Sequence, residues 1–211
     1  MYSLVCLVHF VADGGRDVAS ALAGLGAAVA PTLPGVFNGG DLIAHFDFAD
    51  EDSYRDMLPA IDGVLHGPGV ARSDCAFYRH GRHAAAEPAL ASGVYRVLLL
   101  SVDRPVGAEV LHRFESEMVR MPHYIPAIRN WRLSRVIEAR GERRWTHVWE
   151  QEYASLDGLM GPYMLHPYHW ARIDRWFDPE CPDWMIDTRL CHSFCTFGRG
   201  VLGAQGGGSE A

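Results

Sequence analysis

Two runs of apolar and β-branched residues, 2–8 and 95–102, are each predicted to form a strand. Each run is followed by apolar residues at helical spacing, which places them on one face of a helix. The first stripe comprises Val18, Leu22, Leu25 and Val29, and the second comprises Val110, Leu111, Phe114, Met118 and Met121. Each helix is predicted to lead into a proline turn, at 33–36 or 125–128, because proline favours extended backbone before it.

The same order of elements then continues in both halves. Strands are predicted at 41–48 and 145–153, followed by helices at 50–65 and 155–177 with Asp50 and Ser155 as N-caps. The second half also carries an additional strand, 131–137. The predicted units are a degenerate repeat at 1–81, a linker at 82–93, a second repeat at 94–200 and a flexible tail at 201–211.

Two copies of this order predict an α+β fold made of two fused ferredoxin-like repeats. Each antiparallel sheet would leave one apolar face bare. Packing the two sheets face to face within the chain buries both faces, and closure protects the strand edges. We therefore expect a pseudo-dimeric α/β barrel, which could pair further as a homodimer.

Composition and charge exclude several classes of protein. The chain of 211 residues has a formal net charge of −7 and no basic run, so a nucleic-acid partner is not expected. Its apolar stretches are shorter than the roughly 20 residues of a membrane span. The first residues lack the cationic start of a signal peptide, and the five cysteines are an odd number. These features predict a cytoplasmic protein with reduced thiols and no membrane association.

The most informative residues lie in the second half. The segment 161–170 contains Tyr163, His166 and His169, and the strand 145–153 contains His147 and Trp149. Together with the Ile-Pro turn at 125–128, these phrases resemble the stress-responsive dimeric α/β-barrel (Dabb) family. The resemblance covers residues 94–197 through its motifs, and residues 1–80 only through topology and the Leu-Pro turn.

This resemblance implies a catalytic pair, Tyr163 and His169, in a cavity that His147 also lines. The family's first-strand histidine is absent, and Tyr95 and Arg96 stand near its position. These two residues, with His147, Trp149 and His166, are the candidate substrate-binding residues. The family's cyclases act on polyketide-like aromatic compounds, so the resemblance implies a lyase or cyclase acting on a small hydrophobic or aromatic substrate.

The side-chain chemistry agrees with that role. A neutral imidazole, with an ordinary pKa near 6.5, can take a proton α to a carbonyl near pH 7. A tyrosine stays protonated and can donate to an oxyanion. Ring closure by aldol attack, retro-aldol cleavage and dehydration are all open to such a pair, and no cofactor or metal is expected. Pro167 interrupts the helix between the two residues, so both could turn toward one chamber, expected to be walled by both repeats.

Three further expectations concern the surroundings of this pair. Trp145, His147 and Trp149 alternate along a strand and are expected on one face of the sheet. Glu150 and Glu152 are expected on a solvated face. When the repeats are aligned on Pro59 and Pro167, the positions equivalent to Tyr163, His166 and His169 are Arg55, Leu58 and Ile61. Only the second repeat is therefore predicted to carry a site.

Two alternatives to the enzyme hypothesis stay open. The chain could be a non-catalytic, stress-type protein that binds a hydrophobic small molecule, a role that the same resemblance allows. A weaker alternative is a haem-binding barrel in which His169 or His166 is the axial ligand. For His166 itself, a structural role as an N-terminal capping or packing residue is favoured over a catalytic one.

Overall fold

Nine antiparallel strands form one continuous sheet in the computed structural model, which describes residues 1–12 and 15–203. In chain order the strands are β1 (Tyr2–Phe10), β2 (Ala28–Pro31), β3 (Leu42–Phe48), β4 (Val70–Arg79), β5 (Arg82–Ala85), β6 (Gly93–Leu100), β7 (Ile128–Arg140), β8 (His147–Tyr153) and β9 (Cys191–Phe197). The first repeat has the spatial order β2-β3-β1-β4, and the second has the matching order β7-β8-β6-β9. Both are ferredoxin-like arrangements.

The two four-stranded sets join end to end. Strand β4 pairs with β7 over several residues, from Cys75 opposite Arg140 to Tyr78 opposite Val136. At the other end, β9 lies beside the first repeat through the single bridges Thr32–Cys195 and Phe37–His192. The sheet is therefore a nearly closed barrel, which confirms the predicted α+β architecture of two fused repeats.

Three regular helices cover the outside of the sheet: α1 (Gly15–Gly24), α2 (Glu51–Leu65) and α3 (Ala108–Tyr124). Asp50 caps α2 by accepting a hydrogen bond from the amide of Ser53. The predicted stripe of α1 reaches too far, because the helix ends before Gly26, whose φ is +95°. A glycine in this left-handed conformation terminates helices, and Val29 consequently lies in β2.

The predicted continuous helix at 155–177 is instead an interrupted helix, defined here as residues 156–176. It begins with one α-helical turn (Leu156–Gly158), capped by Ser155, and continues as π-helix (Leu159–Tyr163). After an irregular turn it resumes as π-helix (His169–Ile173) and ends in a 3₁₀ turn (Asp174–Trp176). Pro162 and Pro167 contribute no amide hydrogen, so a regular hydrogen-bond ladder cannot run through this segment.

The predicted linker and tail both contain ordered contacts. Strand β5 occupies the start of the linker 82–93 and pairs with β7. At the start of the tail, Val201 is buried, and the amides of Val201 and Leu202 donate to the Glu152 carboxylate. The rest of the predicted tail, from 204 onward, lies outside the described residues. The domain boundaries themselves remain predictions.

The sheet separates three hydrophobic clusters. One lies under the helices of the first repeat, one lies under the helices of the second, and the third fills the interior of the barrel between the two repeats. Because both faces of the sheet are covered, alternation along β8 directs Trp149 toward the helices and the neighbouring Glu150 into the barrel. No helix in the described ranges is long and apolar enough to cross a membrane.

The barrel interior also holds a buried ionic network. Glu150 is fully buried, and its Oε2 accepts from Nε of Arg132 at 2.7 Å. Its Oε1 accepts from the Tyr95 hydroxyl at 2.7 Å and lies 3.5 Å from Nδ1 of His45. Glu152 is buried as well, hydrogen-bonded to Asn130. The expectation of a solvated face for Glu150 and Glu152 is wrong, since that face of β8 closes onto the opposite repeat.

Candidate functional site

A cavity of about 230 Å³ lies between the sheet of the second repeat and its interrupted helix. It is lined by Arg96, Leu98, Met118, Trp149, Tyr163, Met164, His169, Ile173, Asp174, Phe177, Leu190 and His192. Every one of these residues belongs to the second half of the chain. The expectation of a chamber walled by both repeats is therefore wrong: the cavity is on the helix-covered side of the sheet, while the barrel interior is occupied by packed side chains.

Tyr163 and His169 meet in this cavity. Their ring centroids are 4.6 Å apart and the ring planes are inclined at 60°. Tyr163 is only 2% exposed, in the last turn of the first π-helical stretch, while His169 opens the second. Six positions apart on a regular helix, the two side chains would diverge. The irregular turn between them brings both rings to the same side.

Arg96 organises the floor of the cavity from the central strand β6. Its Nη1 donates to the Tyr163 hydroxyl oxygen at 3.0 Å and also to Oε1 of Gln151. Its Nε donates to Nε2 of His192 at 2.9 Å. The guanidinium carbon lies 4.8 Å from the centroid of the Tyr163 ring. Arg96 thus fixes the phenol position by a hydrogen bond and a cation–π contact.

Burial sets the protonation state of the two histidines. It lowers the pKa of His169 to about 4, and the Arg96 charge acts in the same direction. Burial, with Arg96 and His169, lowers the pKa of His192 to about 3. Burial raises the pKa of Tyr163, although Arg96 opposes that rise. Near pH 7 the cavity therefore holds neutral imidazoles and a protonated phenol beside a permanent cation.

Asp174 completes the cavity on the imidazole side. Its Oδ1 lies 3.6 Å from Nδ1 of His169, a nitrogen that is buried and has no hydrogen-bond partner among the described residues. Burial raises the pKa of this carboxyl group, and Asp178 adds to the effect. A carboxylate at this distance can stabilise an imidazolium formed on His169, after a small closure of the gap.

The structure places only some of the predicted residues at the cavity. His169, Tyr163, Arg96 and Trp149 line it, whereas Tyr95, His147 and His166 do not. Tyr95 points into the barrel because it neighbours Arg96 on a strand.

His147 and His166, which do not line the cavity, contact other residues near them in the structure. Nε2 of His147 lies 3.1 Å from Oε1 of Glu115, and its ring packs edge-on against Phe114. Nδ1 of His166 accepts from the amide of Tyr168, as expected of a structural histidine. Trp145 precedes β8 and packs in the barrel interior, so it does not share a face with His147 and Trp149.

Gln151, His192 and Asp174 were missed by the sequence reasoning. Alternation along β9 turns His192 to the face opposite Cys191 and Cys195, which pack in the barrel interior. The same alternation, combined with the pairing of Leu98 opposite His192, would have placed it beside the cavity. Asp174 follows His169 by five residues, a spacing that becomes a contact only because the helix is irregular.

The residues present do not fit a haem group. Pockets for drug-sized ligands have volumes of roughly 300–1,000 Å³, and this cavity, at about 230 Å³, is smaller than that range. A porphyrin is a large member of that class. His166 lies outside the cavity with its Nδ1 engaged, and His169 faces Tyr163 at contact distance. The cavity residues therefore do not support the haem alternative.

The model of the stress responsive A/B barrel domain family, Dabb, matches residues 94–187. The second repeat of this chain is therefore a Dabb domain, as its motifs indicated. This match supports a small-molecule-binding or enzymatic role. A search of the curated proteins found no match.

Solved structures resemble the whole chain in fold. An anthrone oxidase-like protein has a TM-score of 0.60 at 8% sequence identity, covering 92% of this chain and 90% of that one. A mutant chlorite dismutase from Candidatus Nitrospira defluvii, in complex with cyanide, has a TM-score of 0.53 at 10% identity, covering 96% and 91%. At these identities the likeness establishes the shared fold of two fused repeats and nothing about the reaction.

Proposed function

We propose that the chain is a cofactor-independent enzyme of the lyase or cyclase type that acts on a small carbonyl compound. The observation that carries this proposal is the meeting of an imidazole and a phenol in one cavity, with ring centroids 4.6 Å apart. The cavity volume, about 230 Å³, suits a single-ring or short-chain substrate. Its apolar walls, which include Leu98 and Ile173, suit an aromatic or aliphatic body.

In this proposal His169 removes a proton α to the substrate carbonyl, and the electron pair moves onto the carbonyl oxygen as an enolate. Tyr163 stabilises that oxygen by donating a hydrogen bond from its hydroxyl group. Because Arg96 donates to the Tyr163 oxygen, the phenol hydrogen stays available for the substrate. The Arg96 charge also makes the phenol a stronger donor.

The imidazolium formed on His169 would be stabilised by Asp174, 3.6 Å from Nδ1. The enolate carbon can then attack a second carbonyl of the same molecule, which closes a ring. In the reverse reaction, a retro-aldol cleavage, a carbon–carbon bond of a β-hydroxy carbonyl compound would break. On ring closure the imidazolium gives its proton to the new alkoxide; on cleavage His169 takes the β-hydroxyl proton and gives it to the enolate carbon, so the pair is restored after each cycle.

One observation favours a second candidate, a protein that binds a hydrophobic small molecule without transforming it. Burial and Arg96 hold the pKa of His169 near 4 in the free protein, which makes the imidazole a weak base. A binding protein needs only the apolar walls and the hydrogen-bond donors of the cavity. The two candidates differ in one respect, namely whether a proton moves.

Deuterium exchange separates the two candidates without knowledge of the natural substrate. The protein is incubated in D₂O with a panel of small aryl ketones and diketones, and loss of the α-proton signal is followed by NMR. The enzyme proposal predicts exchange that His169→Gln slows by about 10²–10⁴-fold. His166→Gln, which changes a nearby histidine outside the cavity, should leave the rate unchanged. Saturable binding with no exchange across the panel would favour the binding protein.

A further inference from the structure

Arg96 is a buried cation with no anionic partner. It is 4% exposed, and no carboxylate oxygen of the described residues lies within 4.0 Å of it. All its hydrogen-bond acceptors are neutral: Tyr163, Gln151 and His192. Arg132 provides the contrast within the same chain, since it is equally buried but paired with Glu150 at 2.7 Å. An uncompensated buried charge is costly, so the arrangement at Arg96 calls for an anion.

One edge of the Arg96 guanidinium is free to supply that contact. Nε and Nη1 are engaged by protein acceptors, whereas Nη2 donates to no acceptor in the described part of the chain. Arg96 lines the cavity together with the apolar Leu98 and Phe177. A ligand that enters would therefore meet a cationic donor on one side and hydrocarbon on the other.

The available space limits the size of such a ligand. A volume of about 230 Å³ is below the roughly 300–1,000 Å³ of pockets for drug-sized ligands. That volume admits a single aromatic ring with one substituent. Asp174 lines the same cavity, and its carboxylate would repel a second negative charge.

We propose that the cavity binds a small organic monocarboxylic acid whose carboxylate is held by Nη2 of Arg96. This inference rests on the proposed function only in taking the cavity as the substrate site. The proposed carboxylate site also gives a functional reason for the position of Arg96 beside Tyr163 and His169. Burial is the main cause of the low pKa of His169, and the Arg96 charge lowers it further. A bound carboxylate would neutralise that second contribution, so the substrate itself would strengthen the base that acts on it.

Benzoate and its neutral counterpart benzamide are the probes, with binding measured by calorimetry. Wild-type protein should bind benzoate, and Arg96→Gln should weaken that binding by about 10- to 100-fold. Benzamide should bind weakly and to the same extent in both. Arg144→Gln, which removes an exposed arginine outside the cavity, is the matched control and should not alter benzoate affinity.

A second readout follows the His169 ring by NMR. Its pKa should rise when benzoate is bound, with Asp174, Arg96 and His192 as the charged or titratable groups that face it. Should Arg96→Gln lose its fold in a thermal scan, Arg96→Lys retains the cation. That variant should bind benzoate more weakly than wild type but more tightly than it binds benzamide.

Equal affinity for benzoate in wild type and Arg96→Gln, or equal affinity for benzoate and benzamide, would overturn the inference. These measurements involve no turnover, and His169→Gln should still bind benzoate. Arg96-dependent benzoate binding without α-proton exchange would therefore refute the proposed enzyme and leave the anion site standing. Exchange on neutral ketones with no benzoate binding would do the reverse.

Discussion

The helix-covered faces of the two repeats differ at one matching position on the central strand. In the first repeat Leu4 of β1 stands opposite Phe46 and Phe77. In the second repeat Arg96 of β6 stands opposite Gln151 and Phe194. The same register thus gives an apolar cluster in one repeat and a polar group beside a cavity in the other.

The helices show the same contrast. In the first repeat the Tyr54 ring of α2 stacks on Phe77 with centroids 3.6 Å apart, and Ile61 is fully buried. In the second repeat the irregular turn brings Tyr163 and His169 together, and a cavity lies beside them. A duplicated fold allows this division: one copy keeps a filled core, while the other accepts a cavity and a buried charge.

The largest expected effect comes from a matched pair of tyrosine variants, one per repeat. Tyr163→Phe removes the proposed donor to the substrate oxygen and should reduce exchange about 10²–10³-fold. It should cost at most about 1 kcal/mol of stability, since only one buried hydrogen bond is lost. Tyr54→Phe removes the hydroxyl that donates to Glu138 at 3.0 Å. It should leave exchange unchanged and lower the free energy of unfolding by about 1–2 kcal/mol.

Exchange assays and urea denaturation on both tyrosine variants provide the check. The two phenols are both fully or almost fully buried on the helices of their repeats. The comparison fails if Tyr54→Phe reduces exchange as much as Tyr163→Phe does. It also fails if both variants change only stability, because the second repeat would then be as purely structural as the first.

The packing difference predicts unequal costs for the same truncation. Leucine-to-alanine changes in cores cost about 2–5 kcal/mol, with more for sites that cannot relax. Leu4 is fully buried among aromatic rings, so Leu4→Ala should fall in the upper half of that range. Leu98 already borders the cavity, so Leu98→Ala removes fewer contacts and should cost about 2 kcal/mol. Urea denaturation measures both, and equal costs would mean that the second repeat packs as tightly as the first.

The fold was largely predictable because hydrophobic periodicity and turn residues recur in both halves. The caps at Asp50 and Ser155 and the proline turn before β7 follow from local chemistry. The early end of α1 was visible in Gly24 and Gly26, which flank the stop, but the apolar spacing of Val29 suggested otherwise. Local glycine chemistry prevailed over periodicity there.

The site was only partly predictable, since the motif identifies residue types but not which face of the sheet receives them. Arg96 and Tyr95 are neighbours whose side chains lie on opposite faces of the sheet. Both side chains carry polar groups, so the sequence does not indicate which of them faces the cavity. Glu150 reads as a solvated residue until the second sheet is placed over it. Contacts that depend on an irregular helix, such as Asp174 with His169, lie beyond any regular spacing rule.

The smallest effect concerns acid stability, to which both histidines of the cavity contribute. Burial lowers the pKa of His169 to about 4 and that of His192 to about 3, below the ordinary value near 6.5. The unfolded chain therefore binds more protons as pH falls. Each histidine contributes stability that is complete above about pH 6.5 and is lost as the pH falls toward its folded value. The loss between pH 7.5 and 5.5 should be about 1 kcal/mol per histidine.

Urea denaturation of histidine variants at both pH values shows which histidine causes that loss of stability. His169→Asn should remove about 1 kcal/mol of it, because asparagine does not titrate. His83→Asn, which changes an exposed histidine, should leave the pH dependence as it is in wild type. Part of the loss should remain in the His169→Asn variant, because burial also lowers the pKa of His192, and that of His80 in the first repeat, to about 3. If His169→Asn loses as much stability as wild type between the two pH values, the imidazole is not held neutral by burial, and its proposed coupling to Arg96 loses its basis.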